Sequence, residues 1–358
     1  MRVSSRTRSQ FTDFLVSLIF DGFSLETFIL NNIFIQFWGV KISSNIIFLG
    51  TGGDSYVVGK QLRASGGIIL QIGEDQFHID PGPGALSMAA HTGINLRANT
   101  ALIVSHNHIN HCNDINAVID AMTYGGFDKK GVLVANNTVI NGSEHYTPFL
   151  QKYYRDFLER FIVLEEGKRV GINNVEILAL KANHSEPNAL GFKFITPEYT
   201  LTYSGDTVYG AETAAQYDDS SVLILNVPYL KKEEGKENLC KEDAIKIISR
   251  VKPRLAIITH FGANFLKADP LYEVREIQKE TGVQTIAAKD GMVVNPVSYS
   301  VEQGQKTLYK YAREKGIRVQ EYQKKEEEKV KELNEMIEKQ TKLEDSYYNS
   351  QSENQQND

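Results

Sequence analysis

Cysteine is scarce in this chain of 358 residues, since only Cys112 and Cys240 are present. Two thiols cannot form the disulfide framework that stabilises small secreted domains, so that class is excluded. A reducing compartment fits this usage, and we predict a cytoplasmic protein. We interpret both residues as small buried thiols. Because Cys112 adjoins a histidine cluster and thiolates bind zinc well, a role as metal ligand is the alternative for that residue.

An excess of positive charge and long apolar runs are also missing. The net charge is −6, whereas proteins that coat nucleic acids need clustered Lys and Arg. The apolar stretch within residues 1–40 is interrupted by Asp13, Asp21 and Glu26. It therefore contains no run of ~20 apolar residues of the kind that spans a membrane. We predict no stable membrane span and treat residues 1–40 as an apolar N-terminal extension, to which the sequence assigns no role.

A regular pattern of strands and helices begins at Lys41. Apolar stretches around short turn signals predict two hairpins, over 66–84 and 189–206. Further apolar strands alternate with helices predicted over 115–126, 241–253 and 269–281. Frequent hairpins beside alternating helices favour two β-sheets with helices outside them over a single parallel sheet.

The composition changes after Val297. Residues 323–345 are rich in Lys and Glu and carry one narrow apolar stripe, which predicts a solvated helix or a short coiled coil and a possible surface for self-association. The end of the chain is polar and is predicted to be disordered. We therefore divide the chain into the extension over 1–40, a domain over 41–297, a charged helical extension over 298–345 and a disordered tail over 346–358.

Histidine is rare, with eight residues in all, yet three of them lie in SHNHINH (105–111). His106 and His108 are two residues apart on an extended segment, so they point to the same side. Other polar residues each close a separate apolar run, and these are His184, Asp206 and His260. Strand ends meet at one edge of a sheet, where sites form, and imidazole and carboxylate are zinc ligands. The pattern predicts a metal site.

These motifs resemble the metallo-β-lactamase-fold hydrolase superfamily. SHNHINH (105–111), SGDT (204–207) and THFG (259–262) occur in the family's order, with His184 between the first two. FHIDPGPGAL (77–86) is similar to the family's early strand, and the resemblance covers residues 41–297. It implies an α/β (α+β) fold, a four-layer αββα sandwich, with a pair of metal ions at the edge of the two sheets.

The resemblance also implies which side chains bind the two ions. The first ion would be held by three imidazoles, those of His106, His108 and His184. The second would be held by those of His111 and His260, with Asp206 bridging both ions. Zinc is the expected metal at two sites, with manganese as the alternative. Asp80 would orient one of the histidines from behind.

One position departs from the family pattern. The family has HxHxDH, in which the Asp is a ligand of the second ion, whereas this chain has Asn110. The neutral amide offers only an oxygen and leaves the metal core one charge more positive. This predicts a weaker second ion and a preference for an anionic substrate. Asp206 and Asn110 are therefore the candidate catalytic residues. For Asp114, three positions after His111, we prefer an interaction with a helix start to a compensating ligand role.

We expect a zinc-dependent hydrolase in which a zinc-bound hydroxide, oriented by Asp206, attacks a phosphate ester or phosphodiester of a small molecule or nucleic acid. Two alternatives remain. A tRNase Z-like RNA-processing endonuclease is disfavoured because no histidine lies between His184 and His260 and no basic arm is evident. A non-catalytic metal-binding scaffold is favoured only by Asn110. His145, in a loop, is a candidate substrate contact.

Overall fold

The computed structural model describes residues 44–232, 235 and 237–300, except for the side chain of Ser300. The N-terminal extension, the charged helix at 323–345 and the polar tail lie outside these residues, so their roles and the domain boundaries remain predictions. Within the described residues, no helix has the length and apolar character needed to cross a membrane.

The first sheet contains seven strands, which are β1 (Asn45–Gly50), β2 (Ser65–Ile72), β3 (Asp75–Ile79), β4 (Asn99–Val104), β5 (Val132–Ala135), β6 (Arg160–Val163) and β14 (Val293–Val294). Their order is β14-β1-β2-β3-β4-β5-β6. Strands β2 and β3 form the first predicted hairpin, and β3 to β6 run parallel to one another. The carboxyl ends of these parallel strands therefore share one edge of the sheet.

The second sheet also contains seven strands, which are β7 (Arg169–Ile172), β8 (Val175–Lys181), β9 (Leu190–Ile195), β10 (Thr200–Tyr203), β11 (Val222–Asn226), β12 (Leu255–Thr259) and β13 (Thr285–Ala287). They lie in the order β13-β12-β11-β10-β9-β8-β7. Strands β9 and β10 form the second predicted hairpin, and β10 to β13 are parallel.

The helices lie between these strands in the sequence, except the last one, which follows β14. The described ones are α1 (Ser55–Gly59), α2 (Ala85–His91), α3 (Ile109–Cys112), α4 (Ile115–Thr123), α5 (Asn137–Asn141), α6 (Lys152–Arg155), α7 (Ala211–Ala215), α8 (Lys241–Val251), α9 (Ala263–Lys267), α10 (Pro270–Thr281) and α11 (Val297–Ser300), with a 3-10 turn at Leu96–Ala98. The three helices predicted from the sequence correspond to α4, α8 and α10.

Side-chain alternation along the strands produces the layers. On β1, Ile46 and Phe48 belong to the apolar cluster between the two sheets, whereas Ile47 and Leu49 pack with α2 and α4. The strands of the second sheet alternate in the same way, with the outer residues packed against α8 and α10. Successive side chains of a strand point to opposite faces, so each sheet buries both of its faces. This confirms the predicted αββα sandwich.

A short main-chain contact joins the two sheets at the edge where the site lies. Gly52, just after β1, pairs with Phe261, just after β12, and the amide of Gly53 donates to the oxygen of Phe261 at 3.0 Å. A Cβ atom on Gly53 would come within 2.1 Å of the main-chain oxygen of His260. Glycine is therefore required here for the backbones to meet.

Candidate metal centre

All six predicted metal ligands converge at this edge of the sandwich. Three come from the segment after β4 and three from the ends of strands in the second sheet, and they are His106, His108, His111, His184, Asp206 and His260. Four of them are buried, while His108 and His184 are half-buried. The strand-end pattern seen in the sequence thus corresponds to one cluster in space.

The first group of ligands consists of three imidazoles. Nδ1 of His108 lies 3.0 Å from Nε2 of His106 and 3.1 Å from Nε2 of His184. Three ring nitrogens therefore face a common point.

The second group is centred on a carboxylate. Nε2 of His111 and Nε2 of His260 are 3.0 Å apart. The Oδ1 atom of Asp206 lies 3.5 Å from Nε2 of His260, and its Oδ2 atom lies 3.4 Å from Nε2 of His111. The same Oδ2 atom is 3.9 Å from Nε2 of His184. Asp206 therefore lies between the two groups, where a bridging ligand would be.

Asp80 orients histidines from both parts of the cluster. Its Oδ2 atom accepts hydrogen bonds from Nδ1 of His111 at 2.9 Å and from Oγ of Ser105 at 2.7 Å. Ser105 Oγ is also 2.9 Å from Nδ1 of His106 and can accept from it. With Nδ1 as the donor in each neutral ring, both Nε2 atoms present lone pairs to the centre. Asp80 thus lies behind a histidine, as expected from the sequence. Ser105 links Asp80 to a second histidine, His106.

Two further contacts were not anticipated from the sequence. Asn226 donates through Nδ2 to Oδ1 of Asp206 at 2.7 Å and to Oη of Tyr203 at 3.0 Å. Tyr203 in turn donates to Oδ2 of Asp80 at 2.7 Å. The two buried carboxylates are therefore connected through an amide and a phenol. Asn226 closes the apolar run VLILN, which is the same signal that identified Asp206 and His260.

Burial and charge set the protonation of the cluster. Burial lowers the pKa of His260 to about 4 and holds the pKa of His106 well below its usual range. Burial also opposes a charge on His111, but the adjacent carboxylates of Asp206 and Asp80 outweigh it and raise the pKa of His111 to about 10. The carboxylates thus require positive charge at the centre, which a proton on His111 or a bound cation can supply.

The donor set fits divalent metal ions. Two subsets, His106 with His108 and His184, and His106 with His111 and Asp206, place their ligand atoms within 4.8 Å of one another. Tetrahedral zinc with ligands at ~2.0–2.1 Å places those atoms about 3.3 Å apart. The N–N and N–O separations above approach this value.

Asn110 faces the second group differently from our expectation. Its Nδ2 atom donates to the main-chain oxygen of Gly53 at 3.1 Å and lies 3.1 Å from Nε2 of His260. The amide nitrogen, not the oxygen, is therefore on the side of the ligands, because the Gly53 carbonyl needs a donor. Asn110 offers no ligand oxygen toward His260.

Three other candidate residues lie outside the two ligand groups. Cys112 is buried and its Sγ donates to the main-chain oxygen of His108, as a structural thiol does. Asp114 accepts from the amides of Gly84 and Ala85 at the start of α2. The carboxylate of Asp114 therefore interacts with the start of α2 and not with the start of α4, the helix that directly follows it. His145 is exposed in the loop after α5 and is not among the described residues lining the cavity beside His184.

The chain is similar in sequence to known proteins. Residues 75–261 match the family described as the beta-lactamase superfamily domain. An uncharacterized protein of Methanocaldococcus jannaschii is 32% identical over 251 residues, which cover 70% of this chain and 94% of that protein.

Solved structures share the fold at lower identity. The metallo-beta-lactamase fold protein YhfI from Bacillus subtilis has a TM-score of 0.59 at 18% identity, covering 70% of this chain and 99% of the other. A diphosphatase from the PhnP family has a TM-score of 0.52 at 16% identity, covering 70% of this chain and 96% of the other. Human tRNase Z, short form, has a TM-score of 0.51 at 14% identity, covering 70% of this chain and 98% of the other. The chain therefore belongs to the metallo-β-lactamase-fold superfamily of metal-dependent hydrolases, which its histidine motifs resemble.

Proposed function

We propose that this protein hydrolyses phosphate esters or phosphodiesters with two divalent ions, zinc being preferred and manganese the alternative. The observation that carries the proposal is the convergence of five imidazoles on one shared carboxylate, Asp206, in a donor set suited to such ions. The names of two proteins with the same fold, a diphosphatase and a tRNase, refer to phosphorus compounds and support this substrate class.

Each group of ligands would hold one ion. His106, His108 and His184 would hold the first, His111 and His260 the second, and Asp206 would contact both. Ions in these positions would supply Lewis acidity, which lowers the pKa of water and stabilises negative charge on phosphoryl oxygens.

The protein's own residues would then orient the reactants. Oδ2 of Asp206 faces both ligand groups and would accept a hydrogen bond from the attacking water. Its rotamer is held by Asn226, which donates to the other carboxylate oxygen. Asp80 keeps the ring of His111 in one orientation. Fixing these groups before the substrate binds reduces the cost of ordering them in the transition state.

A panel of substrates tests the proposal. Protein loaded with zinc or with manganese would be assayed on bis(p-nitrophenyl) phosphate, on a thioester, on a lactone and on a precursor tRNA, with elemental analysis of the same samples. Hydrolysis of the phosphodiester that disappears on chelation supports the proposal. Activity on the precursor tRNA alone would instead support the tRNase Z-like alternative. Stoichiometric metal with no turnover of any substrate would support the scaffold.

A further inference from the structure

A cavity of about 590 Å³ opens beside the first ligand group. His184 forms part of its wall, so the cavity adjoins the candidate metal centre. The volume lies within the range of ~300–1,000 Å³ typical of small-molecule sites. The cavity is therefore large enough for the organic group of a small substrate.

The charged residues of the cavity wall are mostly acidic. Among the described residues that line it, Glu165, Glu166 and Glu237 carry carboxylates, and Lys181 carries the only ammonium group. The ammonium lies 3.9 Å from Oε2 of Glu166, so one of the carboxylates already attracts it. The wall therefore carries a net negative charge, whereas the neighbouring ligand groups require positive charge.

A buried glutamate lies next to two of the residues that line the cavity. Glu186 is fully buried and accepts hydrogen bonds from Nδ2 of Asn136 at 2.6 Å, from Oγ1 of Thr138 at 2.9 Å and from the amide of Asn188 at 3.0 Å. Both Asn136 and Asn188 also line the cavity, and both are held by hydrogen bonds to Glu186.

We propose that this cavity binds the organic group of the phosphoester substrate, and that this group carries no negative charge. The inference rests on the proposed function. A substrate would be aligned by its two ends, with the phosphate at the metal centre and an uncharged or cationic group among the carboxylates. A second anionic group on the substrate would meet like charge in the cavity. Polyanions such as RNA are therefore disfavoured relative to small phosphodiesters.

Three p-nitrophenyl phosphodiesters of similar size test the inference, with ethyl, choline or 2-carboxyethyl as the second ester group. On metal-loaded protein we expect kcat/KM for the ethyl and choline esters to exceed that for the carboxyethyl ester at least about tenfold. The double variant Glu165→Gln/Glu166→Gln should reduce this ratio severalfold. Glu280→Gln, at the exposed end of α10 and outside the cavity, is the matched control and should leave the ratio unchanged.

Equilibrium binding separates this inference from the proposed function. If no diester is hydrolysed, the proposed function fails, but calorimetric affinities of the same three compounds still rank their second ester groups. A preference for the ethyl and choline esters that weakens in the double variant supports the cavity assignment. Equal or tighter binding of the carboxyethyl ester, or a ratio unchanged in the double variant, overturns it.

Discussion

The amide nitrogen of Asn110 donates to the main-chain oxygen of Gly53 at 3.1 Å, while the same nitrogen lies 3.1 Å from Nε2 of His260. A carboxylate in this place would gain charge toward a bound cation but would face the Gly53 oxygen without a proton between them. A carboxylate at position 110 would thus lower the stability of the metal-free protein and raise the affinity for the second ion.

Asn110→Asp should therefore tighten the second ion and destabilise the metal-free protein. We expect two-step zinc binding in the wild type, with the second ion ten- to thousandfold weaker, since a charge pair in such a site contributes on the order of a few kcal/mol. Calorimetry of the variant should show the steps merged. After chelation, the variant should lose about 1–3 kcal/mol in the free energy of unfolding, measured in urea.

Asn141→Asp, an exposed amide-to-carboxylate change at the end of α5, is the control and should alter neither quantity. Two ions bound with equal high affinity by the wild type, with Asn110→Asp changing neither binding nor stability, would show that the charge argument is wrong.

Asp80→Asn should weaken metal binding while the fold persists. Asp80 has a left-handed backbone with φ of 50°, which Asn also tolerates. The amide would present a donor or a weaker acceptor to His111, Ser105 and Tyr203, so we expect metal affinity to fall about 10–100-fold. Competition against a chelating dye measures this. Asp75→Asn, at the start of the strand that ends just before Asp80, should retain wild-type affinity, and an equal loss there would remove the special role of Asp80.

His108→Ala should reduce bound zinc to a trace, because its Nδ1 is the atom that the rings of His106 and His184 both approach. Elemental analysis after gel filtration provides the measurement. His91→Ala, an exposed histidine at the end of α2, is the matched control and should keep full metal content. Stoichiometric zinc in His108→Ala would contradict the assignment of the first group.

A chain beginning at Lys41 should fold and keep its metal, because β1 starts at Asn45 and pairs on its two sides with β2 and β14. Circular dichroism and metal content compare it with the full chain. Insoluble or metal-free protein would mean that residues 1–40 pack into the domain.

Both cysteines should react slowly with Ellman's reagent at pH 8. Burial raises the pKa of the Cys112 thiol, and burial beside Asp243 raises the pKa of Cys240 to about 12, so little thiolate is present. We expect rates about 100-fold lower than in the guanidinium-denatured chain, where two thiols should react at once. Rapid labelling of either thiol in the native protein would contradict this packing.

The convergence of the candidate ligands could be predicted because two strong sequence signals coincide. Long apolar runs such as LAIIT identify buried strands, and a polar residue at the end of each run marks the shared edge. The short edge strands β6 and β7 gave no such signal, because four residues that pair on one side show too little periodicity.

The hydrogen-bond network around the ligands depends on tertiary contacts that spacing does not reveal. Tyr203 meets Asp80 across 123 positions of sequence, and Asn226 reaches Asp206 only because β10 and β11 are paired. The orientation of the Asn110 amide depends on the carbonyl of Gly53, which a sequence cannot place. Such contacts can be identified only from the three-dimensional arrangement of the strands.

Neither sheet by itself contains the complete set of candidate ligands. His106, His108 and His111 follow β4 of the first sheet, whereas His184, Asp206 and His260 follow strands of the second. The cluster is therefore complete only when the two sheets are packed together. A ligand that binds the assembled cluster and not the unfolded chain raises the stability of the native state by about 2.7 kcal/mol at a free concentration of 100 times its Kd. Cellular metal supply would then control how much of the protein stays folded, as well as how much is active.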